Sequence, residues 1–149
     1  MRAGRSADRR GAGAVQPDLS EVRHLGAMLL AGKDVAQRAV AAQLLGQRGF
    51  VSAYAYLRRA LWDPAETVRA RVVEAIGDLA VSQSAGELAA LYAWSGPRLR
   101  RAVLRAVHRI GCGSAFDGIL ALARDDPDAR VRGLAARAGR TSARGRRRC

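Results

Sequence analysis

The sequence predicts an all-α protein, built as a right-handed α-solenoid of about four helix pairs. Its 149 residues are rich in Ala, Leu and Arg, which are good helix formers. No stretch alternates apolar and polar residues long enough to indicate a strand. A short pattern, clearest in WDPAETVRARVVEAIG at Trp62–Gly77, also recurs along the chain at an almost fixed interval.

The interval is set by an arginine near the start of every second helix. These arginines follow one another by 31, 31 and 32 residues, at Arg38, Arg69, Arg100 and Arg132. Three positions after each comes a small or β-branched residue, namely Ala41, Val72, Val103 and Ala135. A period of about 30 residues with two helices per unit predicts stacked repeats, as in a solenoid.

The first four helices are bounded by capping residues, glycines and one proline. Aspartate or serine can cap the starts of the first two, and glycine follows their ends. The starts are at Asp18 or Ser20 and at Asp34, and the ends are at Gly32 and at Gly46 or Gly49. The third helix covers residues 50–61, because the residue before Pro64 is biased away from the helical region. Pro64 itself fits the first turn of the fourth helix.

The last four helices repeat the same signals. Ser84 begins the fifth helix, and Gly96-Pro97 separates it from the sixth. Ser114 caps the seventh, and Asp126-Pro127 precedes the eighth, which is predicted to end at Gly139. Apolar residues fall at helical spacing in each segment, for example in the fourth at Val68, Val72, Ala75, Ile76 and Leu79.

The net charge of +13 is concentrated at the two ends of the chain. We predict a disordered basic leader at 1–17, a repeat domain at 18–140 and a disordered Arg-rich tail at 141–149. Residues 1–17 carry +3, residues 139–149 carry +5, and the long middle carries only +5. Basic segments of this kind favour binding to nucleic acid or to acidic protein surfaces. An Arg-rich, Lys-poor composition is, however, also typical of a GC-rich genome.

Cysteine usage and hydropathy indicate a cytoplasmic protein. Cys112 and Cys149 form neither a disulfide framework nor a zinc motif. A reducing compartment is therefore the simplest setting. The longest apolar run, residues 25–31, is too short to span a bilayer, so no membrane partner is expected.

The pattern D-P-x-x-x-V-R-x-x-x-x-x-A-(I/L)-G resembles the HEAT repeat in its short, phycobilisome-lyase-like form. One copy is complete, with Asp63, Pro64, Val68, Arg69, Ala75, Ile76 and Gly77. A second copy has Asp126, Pro127, Val131, Arg132 and Ala138. The resemblance covers residues 19–140 and implies a scaffold fold rather than a particular activity.

The resemblance also assigns the aspartate and the arginine six residues later to a ladder between neighbouring repeats. Two repeats have both members, namely Asp63 with Arg69 and Asp126 with Arg132. The first and third repeats have Gly32 and Trp94 in the aspartate position, so we expect the ladder to be broken there. The arginine column is interpreted as structural, with a phosphate-binding stripe as the alternative.

In HEAT solenoids the second helices line the concave surface, and here that surface becomes basic towards the C terminus. The third and fourth repeats would place five arginines on it, namely Arg101, Arg105, Arg109, Arg137 and Arg140. Glu74 and Asp78 of the second repeat would face Arg105 and Arg109. These groups either form salt bridges between repeats, each of small value, or belong to a basic patch that binds a partner.

Catalytic motifs are not evident, so we predict a protein that is not an enzyme and has no metal site or cofactor. His24 and His108 have no neighbours that suggest a catalytic triad, and their spacing fits no metal motif. Trp62 and Trp94 lie 32 residues apart, near the ends of first helices. We interpret them as packing between repeats, with an aromatic cleft like that of HEAT-like DNA glycosylases as the alternative.

Three functions are compatible with these features. The first is a scaffold or adaptor that binds a protein partner, or an acidic segment of one, on its concave face. The second is a nucleic-acid-associated protein that uses the C-terminal concave arginines and the Arg-rich tail on phosphates. The third, implied by the resemblance alone, is a lyase-like or chaperone subunit for a tetrapyrrole-bearing protein. The oligomeric state is not predicted.

Overall fold

The computed structural model describes residues 18–111 and 114–145, and these contain eight α-helices and no strand. The helices are α1 (Leu19–Ala31), α2 (Val35–Gln47), α3 (Tyr54–Ala60), α4 (Glu66–Asp78), α5 (Ala85–Ala93), α6 (Pro97–Ile110), α7 (Asp117–Arg124) and α8 (Ala129–Gly145). Short 3-10 turns precede α3, α5 and α7, at Val51–Ala53, Ser82–Ser84 and Ser114–Phe116. The predicted all-α fold of four helix pairs is confirmed. The predicted leader at 1–17, residues 146–149 of the predicted tail and Cys112 lie outside the described residues.

Aspartate side chains cap the first two helices, as the sequence predicts. The Oδ1 atom of Asp18 accepts a hydrogen bond from the N–H of Ser20 at 2.9 Å. The Oδ1 atom of Asp34 accepts one from the N–H of Ala36 at 3.1 Å. Each bond satisfies a donor that the helix geometry leaves free at its N terminus.

Two predicted helix starts were wrong. Pro64 does not occupy the first turn of α4, which begins two residues later at Glu66. Ser114 does not cap α7, because a 3-10 turn over Ser114–Phe116 comes first and Phe116 stands at the cap. In both places the chain needs extra residues to turn between antiparallel helices.

The predicted end of the last helix was also wrong. α8 continues through Gly139 to Gly145, so residues 141–145 belong to a helix rather than to a tail. The Ala and Arg residues around Gly139 are strong helix formers, and one interior glycine costs only about 1 kcal/mol. The helix therefore continues past Gly139, which was expected to end it.

The helices form two layers around one core. α2 packs on α4, α4 on α6 and α6 on α8, while α1 contacts α3 and α5 contacts α7. Every helix contributes at least one fully buried apolar side chain, among them Leu29, Leu45, Leu57, Ile76, Leu88, Leu104, Ile119 and Val131. Each repeat buries its apolar faces against its neighbours, so the core is continuous along the stack.

Two glycines allow the second helices to approach closely. A Cβ atom on Gly46 would lie 2.7 Å from the Cα of Ala75, and one on Gly77 would lie 2.9 Å from the Cα of Ala106. Backbone contact therefore joins α2 to α4 and α4 to α6. His108 stands 31 residues after Gly77, and its side chain cannot enter such a contact. The junction between α6 and α8 carries open grooves instead.

Candidate functional site

Ion pairs between an aspartate and an arginine join neighbouring repeats at two junctions. In each pair the arginine belongs to the repeat before that of the aspartate. Arg38 Nε lies 2.8 Å from Asp63 Oδ2, and Arg38 Nη2 lies 3.1 Å from Asp63 Oδ1. Arg100 Nη1 lies 3.1 Å from Asp126 Oδ2. Asp63 and Asp126 therefore do not pair with the arginines six residues later in their own repeats. The first and third repeats, which lack the aspartate, supply the arginines that bind them.

Arg69 and Arg132 bind backbone carbonyl groups of their own repeats. Arg69 Nη1 donates to the carbonyl oxygen of Asp63 at 2.7 Å, and Arg132 Nη1 donates to that of Asp126 at 2.7 Å. Arg38 Nη1 likewise donates to the carbonyl oxygen of Gly32 at 2.9 Å. The arginine column thus closes the turn between the two helices of a repeat.

Asp126 is a buried charged residue at the last junction. Its side chain is 2% exposed, and it accepts hydrogen bonds from the Tyr92 hydroxyl at 2.6 Å and from the N–H of Asp128 at 2.9 Å. Burial alone would raise the pKa of Asp126, but these hydrogen bonds and Arg100 outweigh burial, so the pKa lies below its usual value. Burial and the bond to Asp126 raise the pKa of Tyr92. Folding therefore favours a charged carboxylate and a neutral phenol.

A groove lined by arginines runs between α6 and α8. Its largest part has a volume of about 560 Å³ and is lined by Arg98, Arg101, Arg105, Arg130, Gly133, Leu134 and Arg137. Two smaller parts, of about 260 and 250 Å³, share Arg137 with it and add Leu104, His108, Arg109, Arg140, Thr141 and Arg144. We call the surface formed by these residues the arginine groove.

The arginine groove concentrates the positive charge of the fold. α6 and α8 carry ten arginines and no acidic residue, whereas the other described residues carry nine basic and twelve acidic side chains. Arg109 Nη1 lies 2.7 Å from Asp78 Oδ1, and Arg98 Nε lies 4.0 Å from Glu66 Oε1. The six other groove arginines have no described carboxylate within ion-pairing distance, namely Arg101, Arg105, Arg130, Arg137, Arg140 and Arg144. Because arginine stays charged, these groups repel one another.

The five arginines named from the sequence all line the arginine groove. Of the two acids expected to face them, Asp78 reaches Arg109 across the junction between α4 and α6. Glu74 instead pairs with Arg71 of its own helix at 3.0 Å. Salt bridges between repeats and unpaired arginines are thus both present, so the two interpretations are not exclusive.

Sequence reasoning missed Arg98 and Arg130. Arg98, Arg101 and Arg105 are spaced i, i+3 and i+7 along α6, and Arg130 lies seven residues before Arg137 on α8. Residues at these spacings share one face of a helix. Arg98 lies about one turn before Arg101, and Arg130 lies about two turns before Arg137, so extending the predicted column towards the start of each helix would have found both.

The two tryptophans do not pack between repeats, so that prediction was wrong. Trp94 is 86% exposed and Trp62 is 56% exposed. Together with Arg69, Leu91 and Ser95 they line a shallow cavity of about 160 Å³. This cavity shares no lining residue with the arginine groove.

The histidines lie at the surface of the helices. His24 and His108 are exposed, and His108 Nδ1 lies 3.2 Å from Thr141 Oγ1. Across residues 18–111 and 114–145, no three His, Cys, Asp or Glu side chains are grouped so that they could hold a metal ion. Over the same ranges no helix is long and apolar enough to cross a membrane.

The two layers of paired helices and the charged face of the second layer define an α-solenoid of the scaffold class. A family model described as HEAT repeats matches residues 63–139, which is just over half of the chain. The chain therefore belongs to the HEAT-repeat family, whose members are generally protein-interaction scaffolds. A search of curated proteins finds no match.

Proposed function

We propose that this HEAT-repeat protein is a non-enzymatic scaffold that binds an acidic segment of a partner protein in the arginine groove. The observation that carries the proposal is the cluster of arginines without carboxylate partners along α6 and α8. Arginine forms paired hydrogen bonds with carboxylates more readily than lysine does. A bound acidic segment would supply the counter-charges that the described part of the groove lacks.

The floor of the groove favours a peptide over a simple ion. Leu134 is half-buried there, Leu104 lies beneath it, and an added Cβ on Gly133 would meet nothing within 4 Å. An apolar floor between charged walls suits a segment that carries acidic side chains and one apolar anchor. Such a segment would contact Arg105 on one wall and Arg137 on the other.

Nucleic acid is the second candidate, because the arginines continue along α8 to Arg144. Arg137 and Arg144 are seven residues apart, which corresponds to about 10 Å along a helix. Sites for single-stranded nucleic acid usually combine such a basic groove with aromatic stacking. The described groove residues include no Phe, Tyr or Trp, which favours the protein partner.

Fluorescence anisotropy with two labelled ligands separates these candidates. One ligand is a short peptide of Glu and Leu, and the other is a DNA strand of the same net charge. Both are titrated against the wild type, the groove variant Arg105→Glu/Arg137→Glu and the control Arg23→Glu/Arg59→Glu. Arg23 and Arg59 are exposed on α1 and α3, outside the arginine groove. Both variants replace two arginines by glutamate, so they have the same net charge.

The peptide is expected to bind the wild type and the control alike, and to bind the groove variant about tenfold more weakly or worse. Equal losses in the two double variants would contradict binding in the groove. Tighter binding of DNA than of peptide, with a log–log salt slope of about −0.7 per phosphate contact, would favour nucleic acid.

A further inference from the structure

The ladder of carboxylates has a vacant position beside Arg69. The guanidinium of Arg69 is anchored like that of Arg38, since each Nη1 donates to turn carbonyl groups of its own repeat. Arg38 then uses Nε and Nη2 to bind both oxygens of Asp63 in the next repeat. Nε and Nη2 of Arg69 have no acceptor among the described residues, and Asp63 is already bound by Arg38.

The backbone hydrogen bonds place Ser95, and not Trp94 as the sequence spacing predicted, where the other junctions have aspartate. The N–H groups of Asp63 and Asp126 donate to the carbonyl three residues earlier, and the N–H of Ser95 donates to Tyr92 in the same way, at 3.3 Å. The Ser95 hydroxyl donates to the carbonyl oxygen of Leu91, so it does not bind Arg69. The third repeat therefore supplies no negative charge at this position.

The cavity left at this position has the size of a side chain. Its volume of about 160 Å³ is below the roughly 300–1,000 Å³ of sites that hold small-molecule ligands. Trp62 and Trp94 flank it and expose more than half of their surfaces. Tryptophan and arginine are the residues most enriched at the energetic centres of protein interfaces. The composition of the cavity therefore indicates a contact with another protein.

We propose that this cavity receives an Asp or Glu side chain from a partner protein, which completes the ladder from outside the chain. The carboxylate binds the Nε and Nη2 edge of Arg69, as Asp63 binds Arg38. The indoles of Trp62 and Trp94 cover the apolar residue next to the acid and limit access of water. The site shares no lining residue with the arginine groove, so it does not rest on the function proposed above.

Intrinsic fluorescence tests the proposal directly, because Trp62 and Trp94 are the two tryptophans of the whole chain and both line the cavity. The probe is the acetylated and amidated peptide Ala-Leu-Asp-Pro-Ala. Its Asn counterpart and sodium acetate serve as comparisons. The Asp peptide is expected to change the tryptophan emission and to bind about tenfold more tightly than either comparison. An equal response to the Asn peptide, an equal affinity for acetate, or no change in emission would overturn the proposal.

Two variants test the role of Arg69. Arg69→Gln is expected to lower the affinity for the Asp peptide by about tenfold. The control Arg71→Gln, at an exposed position of the same helix, is expected to leave that affinity unchanged. Arg69→Gln also loses the bonds to the turn carbonyl groups, so its fold is checked by circular dichroism. Ser95→Asp supplies a carboxylate within the chain and is expected to block the peptide. Wild-type affinity in Ser95→Asp, or in folded Arg69→Gln, would overturn the proposal.

Discussion

Replacing Asp126 by Ala is expected to destabilise the fold by about 2–4 kcal/mol. The change removes the acceptor of the Tyr92 hydroxyl at 2.6 Å, of Arg100 Nη1 at 3.1 Å and of the Asp128 N–H at 2.9 Å. A buried donor without a partner costs about 1–3 kcal/mol, and Tyr92 is only 4% exposed. The Arg100 side chain is 25% exposed, so water replaces part of its lost bond. The expected fall in Tm is roughly 5–15 °C for a chain of this size.

Thermal and urea denaturation followed by circular dichroism measure this effect, with Asp125→Ala as the control. Asp125 is the exposed neighbour of Asp126, and its loss should change the free energy of unfolding by less than about 0.5 kcal/mol. The folded-state pKa of Asp126 is lowered, so its stabilisation is present above the unfolded-state pKa of about 3.9. That stabilisation is lost as the pH falls through the folded-state pKa. Equal stability of the two variants at neutral pH, or a difference that persists unchanged well below pH 4, would show that the Asp126 carboxylate does not stabilise the fold.

Two further predictions concern the helix junctions. Gly77→Ala should lower the free energy of unfolding by about 1–2 kcal/mol, because the added Cβ would lie 2.9 Å from the Cα of Ala106. Urea denaturation measures this change. Gly133→Ala, whose Cβ meets nothing within 4 Å, should instead stabilise by about 0.5–1 kcal/mol, and the opposite order would contradict the close-approach argument. Asp78→Asn should change stability by less than about 1 kcal/mol but should strengthen acidic-peptide binding, since it frees Arg109. Unchanged affinity in an anisotropy titration would exclude Arg109 from the binding surface.

The fold was largely predictable because its signals are local and repeated. Asp18 and Asp34 bond to the N–H groups two residues later, so their roles depend on sequence neighbours alone. The recurring arginine fixes the phase of four second helices at once. Errors arose where a single residue was expected to decide a boundary. Gly139 does not end α8, because the residues on both sides of it favour helix.

The site was harder to predict because its contacts join different repeats. The arginine column was visible in the sequence, but which carboxylate meets which arginine depends on how the repeats stack. Asp63 pairs with Arg38, 25 residues earlier, rather than with Arg69 six residues later. The exposure of Trp94 could not be read from its apolar character, since the spacing fits packing equally well. Periodicity gives the face of a helix but not what covers that face.

We propose that the arginine groove, and not residues 146–149, binds the acidic partner. NMR chemical-shift mapping with the Glu-Leu peptide tests it most directly, on the wild type and on a variant that lacks residues 146–149. The largest amide shifts are expected within residues 98–109 and 130–144 in both proteins. The substitutions Arg105→Glu/Arg137→Glu are expected to abolish these shifts. Shifts confined to α1–α4, or binding that survives the double substitution but disappears with residues 146–149, would exclude the arginine groove as the binding site.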